Sequence, residues 1–472
     1  MARDKAHADR VVAMPEELEP DLDARRRLAA AVVQYADAYL ENLPATPASY
    51  PPIDPNLIPE LGAPPSEKGT NLPQLFGLLD RALESGIDTS SGKFLSYIPS
   101  GGIYTAALGR MLGAVTNRYT GGLHGAPGLV AIEHGVVRWM CQLFDLPDTA
   151  SGVLLSGGST ANLTATVAAR SHLGTDFGDG VVYASERAHH SVVKAATIAG
   201  IHPDRMRLIR ADAALRLDVG ALRETISDDV AAGLTPMLIV ASAGTTDTGT
   251  IDPLNDCAEI AADTGAWFHV DAAYGGFFIL TERGNARMAG IERARSITLD
   301  AHKSLFLPFG VGGLLVRDQA DLVHSLDGRG SYMQDVPAHD ILPNYFAMSP
   351  ELTRPARGLE VWLTLHIHGI AAFRTELDRM LDLAAHTAGA LGALPGIEVM
   401  ADPELSVVAF RSTSGDSATR AIAQHIIDSG DIHVSSTTVD GQFLVRLAFL
   451  SQRTDMRVAE RALELVSEAI TQ

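Results

Sequence analysis

Between about Gly92 and Ile370 short apolar runs alternate with stretches of helical spacing, and this alternation constrains the fold more than any other feature. The runs are 152–155, 181–184, 206–209, 237–241, 267–270, 296–299 and 312–316. Between them, Thr160–Ser171, Ala188–Ala199, Asp218–Ala231 and Pro253–Thr264 carry apolar residues three and four apart. Strands without a polar face need cover on both sides. The pattern therefore predicts an α/β fold with a mainly parallel central sheet. Ligands of such sheets bind beyond the carboxyl ends of the strands, so the residues following each run carry the functional reading.

The flanks differ. Residues 1–20 are polar and acidic, and Asp21–Leu43 reads as a helix with Leu28, Val32, Tyr35, Ala36 and Tyr39 on one face. Pro44–Pro65 reads as an extended proline-rich arm, followed by helical spacing over Leu72–Leu83. Helix and arm bury little alone, so they wrap a partner subunit or pack on their own chain. Beyond Ala371 come a long helix to Leu391, runs at 396–399, 406–411 and 442–447, a helix near 417–429 and a last helix. At 472 residues the chain exceeds one ordinary core. The expected units are 1–91 (helix and arm), 92–370 (large domain) and 371–472 (small α+β domain).

A net charge of -20 argues against nucleic-acid surfaces and anionic membranes. No apolar run approaches a membrane span, and Met1–Arg10 lacks the apolar core of a signal peptide, so a cytoplasmic protein is expected. Cys141 and Cys257 read as reduced, buried thiols, and no metal-ligand spacing is present.

The residues after the runs form a series. Ser156-Gly157-Gly158-Ser159 is a glycine turn opening a helix, either a phosphate cradle or a tight turn with a capping serine. His189 and His190 open the next helix. One of them stacks on a flat ligand, or both face solvent, since neighbours on a helix diverge. Hydroxyls cluster within 241–249, either a ligand contact or a polar loop. Asp271 ends an apolar strand beside the small Ala272 and Ala273, and fits either a protonated pyridine nitrogen or a structural cap. Lys303, with Asp300 and His302, lies between two apolar runs, where an unpaired ammonium is costly. That position suits a lysine that forms an imine. Together these residues make the set that pyridoxal 5'-phosphate requires.

Residues 152–163 (GVLLSGGSTANL), 185–196 (SERAHHSVVKAA), 241–254 (ASAGTTDTGTIDPL), 267–276 (WFHVDAAYGG) and 296–318 (SITLDAHKSLFLPFGVGGLLVRD) resemble, in order and spacing, the motifs of the group II pyridoxal-phosphate amino-acid decarboxylases. The resemblance runs from about Phe94 to Ser451 and implies the fold of the aspartate aminotransferase type (fold type I). It assigns Lys303 to the Schiff base, Asp271 to the pyridine nitrogen and His189 to the ring face. Gly158 and Ser159 fall at the phosphate, bordered by Asp300 and His302; Thr246 falls near the cofactor and Ala273 under the ring. Tyr97 and Ser100 correspond to the substrate pocket, Ser100 to a contact of the substrate carboxylate. Tyr332 matches a mobile-loop tyrosine that protonates the substrate carbon after CO2 leaves. A homodimer with its active site near the subunit interface is implied. Arg446 matches a family arginine and is read as structural.

The chain also departs from the family pattern. Ser100-Gly101-Gly102 is glycine-rich, 124–133 (HGAPGLVAIE) lacks the usual run, and Ser304 replaces a tryptophan. The first two lie near the expected pocket. The expected reaction is decarboxylation of an L-amino acid, with an aromatic or other bulky side chain favoured, to the amine and CO2. Oxidative deamination to an aldehyde, β-elimination and transamination anchored by Arg446 are the rivals, and a catalytically silent scaffold is a fourth.

Overall fold

The computed structural model describes residues 18–174, 177–328 and 341–471. Its strands are β1 (Phe94–Leu95), β2 (Ser151–Leu155), β3 (Gly180–Ser185), β4 (Met206–Ile209), β5 (Thr235–Ser242), β6 (Trp267–Asp271), β7 (Ser296–Leu299), β8 (Gly312–Val316), β9 (Ile397–Val399), β10 (Val407–Ser412), β11 (His433–Val439) and β12 (Gln442–Ala448). A seven-stranded sheet runs β2-β8-β7-β6-β5-β3-β4. Its β4-β3-β5-β6-β7 portion is parallel, and β8 lies antiparallel to both β7 and β2. Two reversals leave β2 pointing the same way as β7. The carboxyl ends of β2, β3, β5, β6 and β7 therefore share one edge.

Period-two alternation divides each strand between two cores. Val181, Tyr183, Ile239, Val270 and Ile297 face one apolar cluster, while Val182, Ala184, Leu238, Val240 and Leu314 face the other. Both faces are closed, as the uninterrupted apolar runs require.

The five-stranded second sheet runs β1-β11-β12-β10-β9 and packs with the helices Ile370–Gly392, Asp416–Asp428 and Met456–Thr471. β1 pairs parallel with β11, so the stretch before the expected pocket belongs to this sheet. Sequence reading missed β11, whose Ser-Ser-Thr-Thr centre offers no apolar run. It also missed the helix Tyr104–Thr116 and marked only the surroundings of Cys141 within the helix Pro127–Leu143. The proline-rich arm is not wholly extended. Leu57–Leu61 forms one helical turn, which tolerates Pro59 because a first-turn N–H has no intrahelical partner. The helix Leu22–Asn42 docks on its own chain, Tyr35 stacking on Phe76 and Tyr39 reaching Asp88 and Ser90.

Both cysteines are buried and unpaired, and burial pushes both thiols upward in pKa. Among the described residues no helix is long and apolar enough to cross a membrane, and no cluster suits a metal ion.

Candidate active site

Where β7 gives way to β8, the chain makes one helical turn, Ala301–Ser304, that presents Lys303. Its Nζ lies 3.1 Å from Asp300 Oδ2. Three bonds fix the turn: His302 N–H to the Val311 carbonyl, His302 Nδ1 to that same carbonyl, and Ser304 Oγ to the Tyr274 carbonyl. Phe306 closes it with a left-handed φ of 59°, a conformation a non-glycine residue adopts only when its surroundings impose it. Burial holds His302 below its usual pKa, so its ring is neutral near pH 7.

The Ser304 bond ties this turn to the end of β6. There the Asp271 carboxylate accepts the Ala273 N–H at 3.1 Å and the Asn162 amide at 2.8 Å. A buried carboxylate with charge-stabilising donors is what a protonated ring nitrogen would complete. Opposite it, the helix Gly158–Leu173 starts with no side-chain cap, leaving its first N–H groups to an anion. Gly158 allows this approach. A Cβ there would lie 3.0 Å from both Ala273 Cβ and Asp300 Oδ2.

These elements enclose a cavity of about 340 Å³. Gly158, Ser159, His189, Thr246, Asp271, Ala273, Asp300, His302 and Lys303 all line it. His189 sits on its wall with Nδ1 2.7 Å from Ser191 Oγ, and burial lowers its pKa. His190 is adjacent, ring centroids 4.1 Å apart, but is not in the lining. Asp300 Oδ1 is buried without a hydrogen-bond partner. An amine, a carboxylate for a ring nitrogen, a flat-faced histidine and an uncapped helix start, converging on one cavity, fit pyridoxal phosphate.

Ser100 and Tyr97 are not among the lining residues. Ser100 is buried, and its hydroxyl donates to the Leu307 carbonyl at 2.7 Å, so while that bond holds it has no proton for a substrate carboxylate. Tyr97 is 62% exposed at φ 51°, with its N–H on Ser435 Oγ and its carbonyl on Arg446. Tyr332 lies outside the described residues.

Residues 56–413 match the pyridoxal-dependent decarboxylase conserved domain. The chain belongs to the pyridoxal-dependent decarboxylase family. It is 31% identical to an aromatic-L-amino-acid decarboxylase of Bacillus atrophaeus over 453 residues, covering 93% of this chain and 94% of that one. An L-2,4-diaminobutyrate decarboxylase of Rhizobium meliloti (strain 1021) is 32% identical over 476 residues, covering 98% and 94%. The crystal structure of Oryza sativa TDC with PLP and tryptamine superposes with a TM-score of 0.91 at 25% identity, covering 96% of this chain and 99% of that one. This decarboxylase is thus a fold type I, pyridoxal-phosphate-dependent lyase acting on an amino acid.

Two features of the decarboxylase escaped sequence reading. Asn162 is 2% exposed and lines the cavity beneath Asp271. Its signal was an amide beside Ala161 on the buried side of the helix, where it must be hydrogen-bonded. The guanidinium of Arg446, expected to pair with an acid or bind a carboxylate, is instead engaged by the Ser435 hydroxyl at 2.8 Å and by three backbone carbonyls. It donates to Asp247 at 2.6 Å, to Thr246 and to Tyr97.

Proposed function

We propose that this chain converts an L-amino acid with an aromatic or other bulky side chain to the corresponding amine and CO2. The observation that carries the reading is the convergence of Lys303, Asp271, His189 and the Gly158–Ser159 helix start on one cavity. Bound pyridoxal phosphate supplies an electron-poor ring that takes up the electrons left on the substrate carbon when CO2 departs.

The chain's own residues do the rest. Lys303 Nζ would hold the cofactor. Asp271 would hold a proton on the ring nitrogen, and His189 would cover the ring, with Ala273 small enough to admit it. Gly158 and Ser159 would hold the phosphate, with His302, Asp300 and Thr246 completing the lining. Tyr332 delivers a proton to the substrate carbon.

Two exposed aromatic side chains linked to lining residues support a bulky substrate. Phe309 is 57% exposed and lies edge-on to His302, and the exposed Tyr97 gives its carbonyl to Arg446, which also holds the Thr246 carbonyl. Tyr97 and Ser100 shape the substrate side, Ser100 by fixing Leu307. The engagement of Arg446 with backbone carbonyls argues against its anchoring a carboxylate for transamination. Exposed Leu108, Met111, Leu112 and Val115 on one helix, with Leu75, Leu79 and Leu83 on another, support a homodimer enclosing the site. A cytoplasmic location completes the reading.

The test is mass spectrometry of products from a panel of L-amino acids, with CO2 collected. Amine and CO2 in equal amounts from an aromatic amino acid are expected. CO2 with aldehyde, peroxide and ammonia, or a keto acid without CO2, would replace this reading with oxidative deamination or transamination.

A further inference from the structure

Behind the Asp271 carboxylate runs a hydrogen-bond chain whose direction its members dictate. An indole nitrogen only donates, and Trp267 Nε1 donates to Ser296 Oγ at 2.7 Å. Ser296 Oγ lies 2.8 Å from His269 Nδ1, and His269 Nε2 lies 3.1 Å from Asn162 Oδ1. At the far end a carboxylate only accepts, so the atom 2.8 Å from Asp271 Oδ2 is the Asn162 amide nitrogen. That fixes the amide's orientation, and every link follows. Asn162 Oδ1 accepts, His269 Nε2 carries the ring proton, and Nδ1 takes the Ser296 hydroxyl proton. Burial lowers the pKa of His269 and keeps this ring neutral.

The Asn162 amide is saturated. One hydrogen goes to Asp271 and the other to Ser191 Oγ at 2.9 Å. Its oxygen accepts from Thr298 Oγ1 at 2.7 Å as well as from His269. Because Ser191 Oγ receives the amide hydrogen, its own hydroxyl hydrogen is free for His189 Nδ1, 2.7 Å away. The Ser191 backbone N–H points at that same nitrogen at 3.3 Å. His189 Nδ1 is therefore an acceptor, and the ring proton is on Nε2.

We propose that Asn162 is a positioning residue for the cofactor, its amide orienting both the carboxylate that meets the ring nitrogen and, through Ser191, the histidine that covers the ring face. The proposal rests on the pyridoxal-phosphate reading of the cavity. Asn162 itself need not touch the cofactor. It acts through Asp271 and His189, and His269 and Thr298 hold it in register.

The test uses apoprotein titrated with pyridoxal 5'-phosphate, followed by quenching of tryptophan fluorescence and by the visible spectrum of the loaded protein as a function of pH. Asn162→Ala removes a donor to a buried carboxylate and the Ser191 link together, so the cofactor Kd should rise roughly 10- to 100-fold. The spectral pH profile should shift with it. Asn162→Thr, which keeps one hydroxyl donor, should recover part of both effects. Ser191→Ala, which leaves the Asp271 contact intact, should weaken binding without moving the profile. It also gives an answer if Asn162→Ala fails to fold. An Asn162→Ala protein with unchanged Kd and spectrum, and only a lower melting temperature, would overturn the proposal. A wild-type protein that does not bind the cofactor would overturn the cofactor reading instead, and the two failures are separable.

Discussion

Glu133 and Arg354 form a bidentate ion pair closed off from solvent, with Nη1–Oε2 at 2.8 Å and Nη2–Oε1 at 2.7 Å. The pair also grips the backbone of Leu154: Glu133 Oε1 accepts its N–H at 3.3 Å, and Arg354 Nη2 donates to its carbonyl at 2.5 Å. Leu154 is two residues before Ser156 and the glycine turn, so two charges remote in sequence hold the strand that leads into the cavity-lining helix start. Replacing both charges by apolar groups can be harmless, but removing one strands the other. Glu133→Gln keeps the shape against Gly358, whose added Cβ would lie 2.5 Å from Glu133 Cβ. It should cost on the order of 3–5 kcal/mol in urea unfolding of the apoprotein.

Lys303→Ala should remove turnover and the visible absorbance of the bound cofactor while leaving the fold intact, since the side chain is partly exposed and, among the described residues, pairs with Asp300. Absorbance spectroscopy and product analysis on one preparation check this. A yellow, fully active variant would be incompatible with the assignment of Lys303.

Gly312 faces Asp300 across the turn. A Cβ there would lie 2.2 Å from Asp300 Oδ1 and 2.5 Å from Gly157 Cα, and the second of these is backbone that cannot rotate away. Gly312→Ala should therefore lower apoprotein stability by about 1–3 kcal/mol through overpacking. It should weaken cofactor binding too, because the displaced atoms border the cavity. Calorimetry and cofactor titration report the two effects separately.

Asp252 gives a pH dependence of known sign. Its carboxyl accepts the N–H groups of Leu217 and Ser242, which fastens the end of β5, yet burial outweighs those donors and raises its pKa from 3.8 to about 6. Between those values the folded protein binds more protons than the unfolded chain. The stabilisation is therefore full below the window and is lost as pH rises through about 6. It amounts to on the order of 3 kcal/mol. Asp252→Asn does not titrate, so the stability gap between wild type and variant should narrow by about that amount across the window. A gap that stays constant with pH would show that the carboxyl is not perturbed.

How much of this was readable beforehand depended on whether a residue's partners were nearby in sequence or implied by its type. Strands β2, β3 and β5 to β8 announced themselves because they are apolar on both faces. Lys303, Asp271 and Gly158 stood out because each lies at or just beyond the carboxyl end of such a strand. β11 did not, since its Ser435 and Thr437 lie among residues that alternate in exposure with no apolar run. Asn162 belongs to a network whose other members are at 191, 269, 271 and 298, and no local pattern joins those positions. The Ser100 hydroxyl meets a carbonyl at Leu307, and a backbone acceptor leaves no mark on residue type.

The same reasoning gives Arg446 a mechanical meaning. It is anchored on β12 in the small sheet, yet its guanidinium holds carbonyls at Thr246, which lines the cavity, and at Asp247 and Tyr97. Three backbone positions far apart in sequence are thus tied to one strand, and a tilt of the small sheet that keeps these bonds moves Tyr97, Thr246 and Asp247 together.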